Sequence, residues 1–310
     1  MMRRIVCLLL ALLCLAPACL AGESTAYPPE EFEFLLGVYG PKERKVAEYK
    51  SDTVSYLIES FNLEGTKWIL TRLWVQDPVR QFRKATSDWG KKLASPRDLI
   101  RKIPGVVLGT NASGYVNKFY PELPDNYPGK PSDYFNTTLG SLVITEGELV
   151  RELEGVPFHG LALTEDGITL YRGADNSFVL ATNPVSTWAF FEYCAMQEGG
   201  YDLLPEEKDL ATDKEKDIVK VKNPRTVIAR INRNNYIFLH IPDGAKYRGL
   251  SLYRINEFFF EHFKAEWVYN LDGGYSTALY YSTSPQKNNA ALKMLLKSTQ
   301  QVADVLCVTE

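Results

Sequence analysis

The segment Glu266-Trp-Val-Tyr-Asn-Leu-Asp-Gly-Gly-Tyr-Ser-Thr-Ala-Leu-Tyr-Tyr281 joins two β-prone runs through a polar turn. Trp267 to Tyr269 reads as a strand, Asn270, Asp272, Gly273 and Gly274 break it, and a second β-prone run opens at Ser276. An amide, a carboxylate and two hydroxyls (Ser276, Thr277) therefore gather at one strand end. Paired glycines permit positive φ and close backbone approach, so backbone N–H groups can face an anion or a sugar beside Asp272. The same residues also fit a plain hairpin whose Asn and Asp bond only their own backbone.

Outside this segment the composition is ordinary. A chain of 310 residues with a net charge of −3 is long enough for one large domain or two modest ones and gives no reason to expect a nucleic-acid surface. Residues 1–21 read as a secretory signal peptide: Arg3 and Arg4 precede an apolar run from Ile5 to Leu15, and small residues follow at Ala16, Ala18 and Ala21. The chain is expected to be exported, periplasmic or extracellular, with cleavage before Cys19 and a lipid anchor as the alternative. The apolar run is too short to span a bilayer comfortably. Cys7, Cys14 and Cys19 belong to the leader, which leaves Cys194 and Cys307 to form one disulfide or to remain buried thiols. His159, His240 and His262 have no zinc-ligand spacing.

Residues 22–65 form an N-terminal extension whose structure the pattern does not settle, and 66–310 form the main domain. Trp68 to Val75 is a β-rich run stopped by Asp77-Pro78. Ser95-Pro96-Arg97-Asp98 starts a short helix, with Ser95 as cap, and Pro104-Gly105 ends it. Val106 to Gly109 is a buried-strand pattern leading into Asn111-Ala112-Ser113-Gly114. Turns at Glu146-Gly147 and Glu165-Asp166-Gly167 predict hairpins. The aromatics between Trp188 and Met196 read as core, and the mixed charges of Glu206 to Lys222 as a solvated helix or loop. Val227 to Ile231 and Tyr236 to Ile241 predict a hairpin, its turn helped by Asn tolerance of positive φ. Ser251 caps a helix that places Leu252, Ile255, Phe259 and Phe263 on one face. Hairpins with helices between them predict an α+β fold with a mixed β-sheet core and packed helices. No G-x-G-x-x-G or Walker sequence supports nucleotide binding.

Asn270-Leu271-Asp272-Gly273-Gly274, with Ser276-Thr277, resembles the Asn-Leu-Asp-Gly-Gly-Gly-Ser-Ser/Thr signature of the phosphodiester glycosidase family. Pro224-Arg225-Thr226 resembles that family's Pro-Arg-Thr, Asp243-Gly244 its Asp-Gly-Arg, Asn111 the asparagine of its Asn-Gly-Gly-Phe/Tyr-Phe, and Gln301 to Asp304 its closing Arg-Pro-Val-Ala-Asn. Members of the family include an enzyme that removes N-acetylglucosamine from a mannose phosphodiester and many bacterial exopolysaccharide-associated proteins. The resemblance runs from about Thr66 to Val308. Ala112, Ser113, Ala245, Arg254 and Tyr275 depart from it.

What the resemblance implies is hydrolysis of a sugar-1-phosphodiester. Phosphate leaves as a stable anion, so such a site needs a cation for the phosphate, a carboxylate to activate water or stabilise an oxocarbenium-like sugar, and hydrogen bonds to the sugar. Arg225 suits the phosphate through its planar fork. Asp272 is the first carboxylate, with Asp243 as partner. Asn111, Thr226, Asn270, Gly273, Gly274, Ser276 and Thr277 are the expected substrate-binding residues. No cofactor is expected: Asp243, Asn270 and Asp272 offer calcium-type oxygens, but no EF-hand loop makes that reading specific. The expected partner is a carbohydrate or glycan phosphodiester. The departures keep a second reading open, a catalytically weakened carbohydrate-binding or envelope-assembly protein. Asn111-Ala-Ser113 and Asn136-Thr-Thr138 are glycosylation acceptors if the source is eukaryotic.

Overall fold

The structure is a computed structural model and describes residues 44–118, 121, 123, 125–242, 249–284 and 292–310. The leader 1–21 and Asp243 lie outside the described residues. Antiparallel β-sheets are the main regular structure among the described residues. The largest has eight strands in the order Arg44–Lys50, Val54–Leu63, Thr66–Val75, Asn235–Ile241, Arg225–Asn232, Trp267–Leu271, Ala195–Glu198, Tyr201–Asp202. A five-stranded sheet runs Lys293–Leu296, Leu279–Tyr281, Val106–Asn111, Asp304–Thr309, Phe82–Thr86. Three further strands, Gly167–Ala174, Phe158–Thr164 and Ser186–Ala189, form a smaller sheet.

The period of two along each strand builds the layers. Ile69, Leu73 and Val75 face a core shared with Val107, Leu306 and Val308 of the five-stranded sheet and with Leu161 and Leu163 of the smaller one. Trp68 and Leu70 face the other way, against the helix Leu252–His262. On the far side of the five-stranded sheet, Val305, Cys307 and Tyr280 pack on Ile100 and Ile103. The central strand Val106–Asn111 is thus buried on both faces.

Both predicted caps form. The Ser95 hydroxyl accepts from Asp98 N at 3.2 Å, and the Ser251 hydroxyl accepts from Arg254 N at 3.3 Å. Leu252, Ile255, Phe258 and Phe259 are buried, each such side chain contributing about 1.5–3 kcal/mol of burial. Phe263 ends the helix in an extended conformation instead of continuing the face.

The α+β expectation overstates the helices. Among the described residues only the helix Leu252–His262 exceeds seven residues. Two strands, Arg44–Lys50 and Val54–Leu63, come from the segment expected as an unsettled extension. Val54–Leu63 pairs with Thr66–Val75 along its whole length, through Glu64 and Gly65 at φ +52° and +74°. The Arg225–Asn232/Asn235–Ile241 hairpin closes differently from expectation. No residue of its turn has positive φ, and the Asn232 side-chain oxygen accepts from Asn234 N and Asn235 N at 3.0 Å each.

Candidate functional site

The two large sheets are tied together at one end by side chains. Thr226 and Asn111 belong to different sheets, yet the Thr226 hydroxyl donates to Asn111 Oδ1 at 3.1 Å. The same oxygen accepts from Ala278 N at 2.9 Å, and Asn111 Nδ2 donates to the Asp272 carbonyl at 2.7 Å. Next to them His240 Nε2 lies 2.9 Å from Thr110 Oγ1. Thr110 Oγ1 also donates to the Ala278 carbonyl at 2.9 Å, and His240 Nδ1 is buried without a hydrogen-bond partner. Burial lowers the His240 pKa to about 3, so the ring is neutral.

This joint sets the position of a cavity of about 320 Å³ lined by Arg225, Asp272, Gly273, Gly274, Tyr275 and Ser276. Thr226 pairs with Leu271 in adjacent strands, which is why Arg225 and Asp272 reach the same cavity. Asp272 Oδ1 accepts from Gly273 N at 2.9 Å, while its buried Oδ2 has no hydrogen-bond partner. Burial raises the Asp272 pKa to about 7. The Ser276 hydroxyl and the Gly273 N–H offset part of that rise, and the charge of Asp304 adds to it. A carboxyl group at a cavity wall with a pKa near neutrality can take or give a proton.

Arg225 is 4% exposed. Its Nε donates to the Leu250 carbonyl at 2.9 Å and its Nη2 to the Val221 carbonyl at 2.7 Å, so much of the fork secures two neighbouring segments. Burial draws its pKa down to about 10, which leaves it charged at neutral pH.

The glycine pair serves close approach. A Cβ on Gly273 would sit 2.5 Å from the Pro224 carbonyl, and Gly274, at φ +59°, donates its N–H to that same oxygen at 2.9 Å. With Gly273 N bonded to Asp272, both N–H groups are engaged inside the protein and do not face the cavity as an anion cradle. Asn111 and Thr226 are fully buried and serve the joint rather than the cavity surface. Asn270 turns its Nδ2 to Cys194 Sγ at 3.8 Å and keeps a buried, unpartnered Oδ1. The Ser276 hydroxyl lies 3.5 Å from Tyr115 Oη, and Thr277 is buried beside it.

Tyr115, Asn117, Asn223, Phe190, Phe191 and Gln300 also line the cavity and escaped the sequence reading. One local signal existed. A Cβ on Gly114 would run into the Phe190 ring, so the glycine marks where that ring lies across the chain. The two departures at Ala112 and Ser113 have structural uses: Ala112 O accepts from Asp272 N at 2.9 Å, and Ser113 donates its N–H and hydroxyl to the two oxygens of Asp304 at 2.7 Å each. Lys84 Nζ lies 3.1 Å from Asp304 in the same fully buried cluster. Arg254, where the family has a glutamate, forms exposed ion pairs with Glu64 and Glu257.

Cys194 and Cys307 are buried free thiols, in separate core clusters. Burial raises the Cys194 pKa to about 12 and moves that of Cys307 up as well. Among the described residues no group of three or more His, Cys, Asp or Glu side chains is arranged to hold a metal ion, and no helix is long and apolar enough to cross a membrane.

The chain is similar to the catalytic domain of zebrafish N-acetylglucosamine-1-phosphodiester alpha-N-acetylglucosaminidase, a structure described as auto-inhibited by its pro-peptide. The TM-score is 0.59 at 16% identity, over 87% of this chain and 89% of that one. It is also similar to a hypothetical protein from Synechocystis, with a TM-score of 0.51 at 12% identity, over 86% of this chain and 64% of that one. Identities this low establish a shared fold. None of the curated proteins matches the chain. The phosphodiester glycosidase profile matches residues 105–309, which include the Asn111, Arg225 and Asp272 strand ends. By that match the chain belongs to the phosphodiester glycosidase family.

Proposed function

We propose that this protein hydrolyses a sugar-1-phosphodiester, with N-acetylglucosamine or a related surface-glycan sugar on the glycosyl side. The observation that supports this most is the Asp272 carboxyl group, whose residue lines the cavity beside Arg225 and whose pKa burial raises to about 7. As carboxylate, Asp272 takes a proton from a water molecule as the water oxygen attacks the anomeric carbon. The bond from that carbon to the phosphate oxygen breaks, and the phosphate departs as a monoester anion that needs little protonation. Arg225 offsets the charge on that anion from the cavity wall. Asp243 is the proposed second carboxylate, and the leader 1–21 is proposed to direct export.

A second reading is favoured by two observations. The Gly273 and Gly274 N–H groups are bonded internally, and Tyr275, where the family has glycine, stands 58% exposed at the cavity, where its ring can stack on a sugar. On that reading the protein binds a glycan without cleaving it.

The test is release of free sugar from an N-acetylglucosaminyl-phosphodiester panel by the mature chain, with Asp272→Asn and Arg225→Ala beside it. The glycosidase reading expects release that Asp272→Asn lowers by about 10²–10⁴-fold while ligand binding persists. Glycan binding without any release supports the second reading and overturns the first.

A further inference from the structure

The Asp272 cavity adjoins two others of opposite charge. Asn117 and Gln300 line it and also line a cavity of about 500 Å³ whose walls include Lys91, Lys92 and Lys118. A different set, Leu139, Phe190 and Phe191, is shared with a cavity of about 370 Å³ walled by Asp125, Glu192, Glu215 and the Tyr127 and Tyr193 rings. The reacting carboxyl group and Arg225 lie in the cavity common to both neighbours.

The lysines are held in place by their backbone. Lys91 N and Lys92 N donate to the Asp88 carbonyl at 3.0 and 3.2 Å, and Asn136 Nδ2 donates to the Lys91 carbonyl at 2.9 Å. Among the described residues neither Lys91 nor Lys92 has a carboxylate within ion-pair distance, and no carboxylate is among the described lining residues of that cavity. A recess lined by one sign of charge concentrates ligands of the other. Ammonium groups bind phosphate as point charges and do not demand one geometry. The other neighbour has the opposite preference: carboxylates accept from sugar hydroxyls, aromatic faces stack on pyranose rings, and an anionic substituent there meets like charge.

On this basis, and resting on the glycosidase reading above, we propose that the lysine cavity is an aglycone subsite for a second anionic group. The substrate class is then a phosphodiester whose aglycone carries a further phosphate or carboxylate, as in a polyanionic glycan, while the released sugar is uncharged and lies toward the acidic, aromatic cavity.

Two substrates test this, N-acetylglucosamine 1-phosphate esterified to methanol and the same sugar phosphate esterified to glycerol phosphate, which adds one terminal phosphate. Wild-type protein is expected to favour the second by about tenfold in kcat/KM at low salt. That preference should collapse toward unity in Lys91→Ala/Lys92→Ala and at high ionic strength. Equal kcat/KM for the two substrates, or a preference the double variant keeps, overturns the proposal.

Calorimetry with inorganic tripolyphosphate supplies an arm that needs no turnover. Binding should weaken about tenfold or more in Lys91→Ala/Lys92→Ala and persist in Asp272→Asn, with circular dichroism confirming that each variant folds. Tripolyphosphate binding that ignores the two lysines overturns the subsite. If neither substrate is cleaved but binding depends on the lysines, the hydrolysis reading fails while the anion subsite stands.

Discussion

Asn111 and Asp272 are 161 residues apart in sequence, and the Asn111 amide donates to the Asp272 backbone carbonyl at 2.7 Å. The other end of that amide, Oδ1, accepts from Ala278 N and the Thr226 hydroxyl, so one buried side chain fixes both sides of the Asp272 turn. Replacing it with alanine leaves a buried carbonyl and a buried N–H without partners, at about 1–3 kcal/mol each. Asn111→Ala is expected to lower Tm by several degrees, read by calorimetry, and to reduce sugar release through displacement of Asp272. Since Asn111 is fully buried, mass spectrometry of protein made in a glycosylating host should find no glycan there.

Asp272 makes two pH predictions with opposite practical sense. As the base, it must be ionised, so kcat is expected to rise with pH through about 7. For stability the sign reverses. Its folded pKa is raised above the ordinary carboxyl value of 3.8, so between about 4 and 7 the folded state holds a proton that the unfolded state has lost. Stability from this group is therefore present below about pH 4 and is lost as pH rises toward 7. Asp272→Asn removes that dependence, so the Tm of the variant minus that of wild type should grow from pH 4 to pH 7.5. A flat difference would place the carboxyl group at an ordinary pKa.

Lys84 and Asp304 form an ion pair 3.1 Å apart with both side chains essentially unexposed. Asp304→Asn strands a buried ammonium, and about 3–5 kcal/mol is expected to be lost. The double variant Lys84→Met/Asp304→Asn should recover most of it in urea denaturation. Asp304 also adds to the raised pKa of Asp272, so the kcat midpoint of the double variant should move to lower pH.

What the sequence disclosed of this fold is its local part. Ser95 and Ser251 announce helix starts because a cap bonds only a few residues onward, and the Glu146-Gly147 turn is visible because it needs φ of +50° and +83° within two residues. The Asn270 to Thr277 turn is legible as a candidate site for the same reason, since its carboxylate and glycines are contiguous. The walls are not: Phe190, Tyr115 and Gln300 share a cavity with Asp272 although they are far apart in the chain. Nor does the sequence show that Arg225 spends a donor on Leu250, because that carbonyl is brought beside it by the Asn223–Leu250 bridge. Helices were over-weighted since start signals are local, whereas the length of a helix depends on what it packs against.

Gly273 and Gly274 are adjacent and alike in sequence, yet the structure predicts different outcomes for alanine at each. At Gly273 φ is −132°, outside the left-handed region. The obstacle is steric: the new Cβ would sit 2.5 Å from the Pro224 carbonyl and 3.3 Å from the Arg225 Cα. Backbone has to move there, and it is the backbone that places Arg225 and Asp272 together. At Gly274 nothing lies within 4 Å of a Cβ, but φ is +59°, a left-handed conformation that costs alanine about 1–2 kcal/mol. Gly274→Ala is therefore expected to lower Tm by a few degrees while sugar release by the folded protein stays within a few-fold of wild type. Gly273→Ala is expected to lose most release even below its Tm, because the distance between the arginine and the aspartate changes. Equal losses for the two variants, each assayed well below its own Tm, would mean that contact between Gly273 and Pro224 does not set the site.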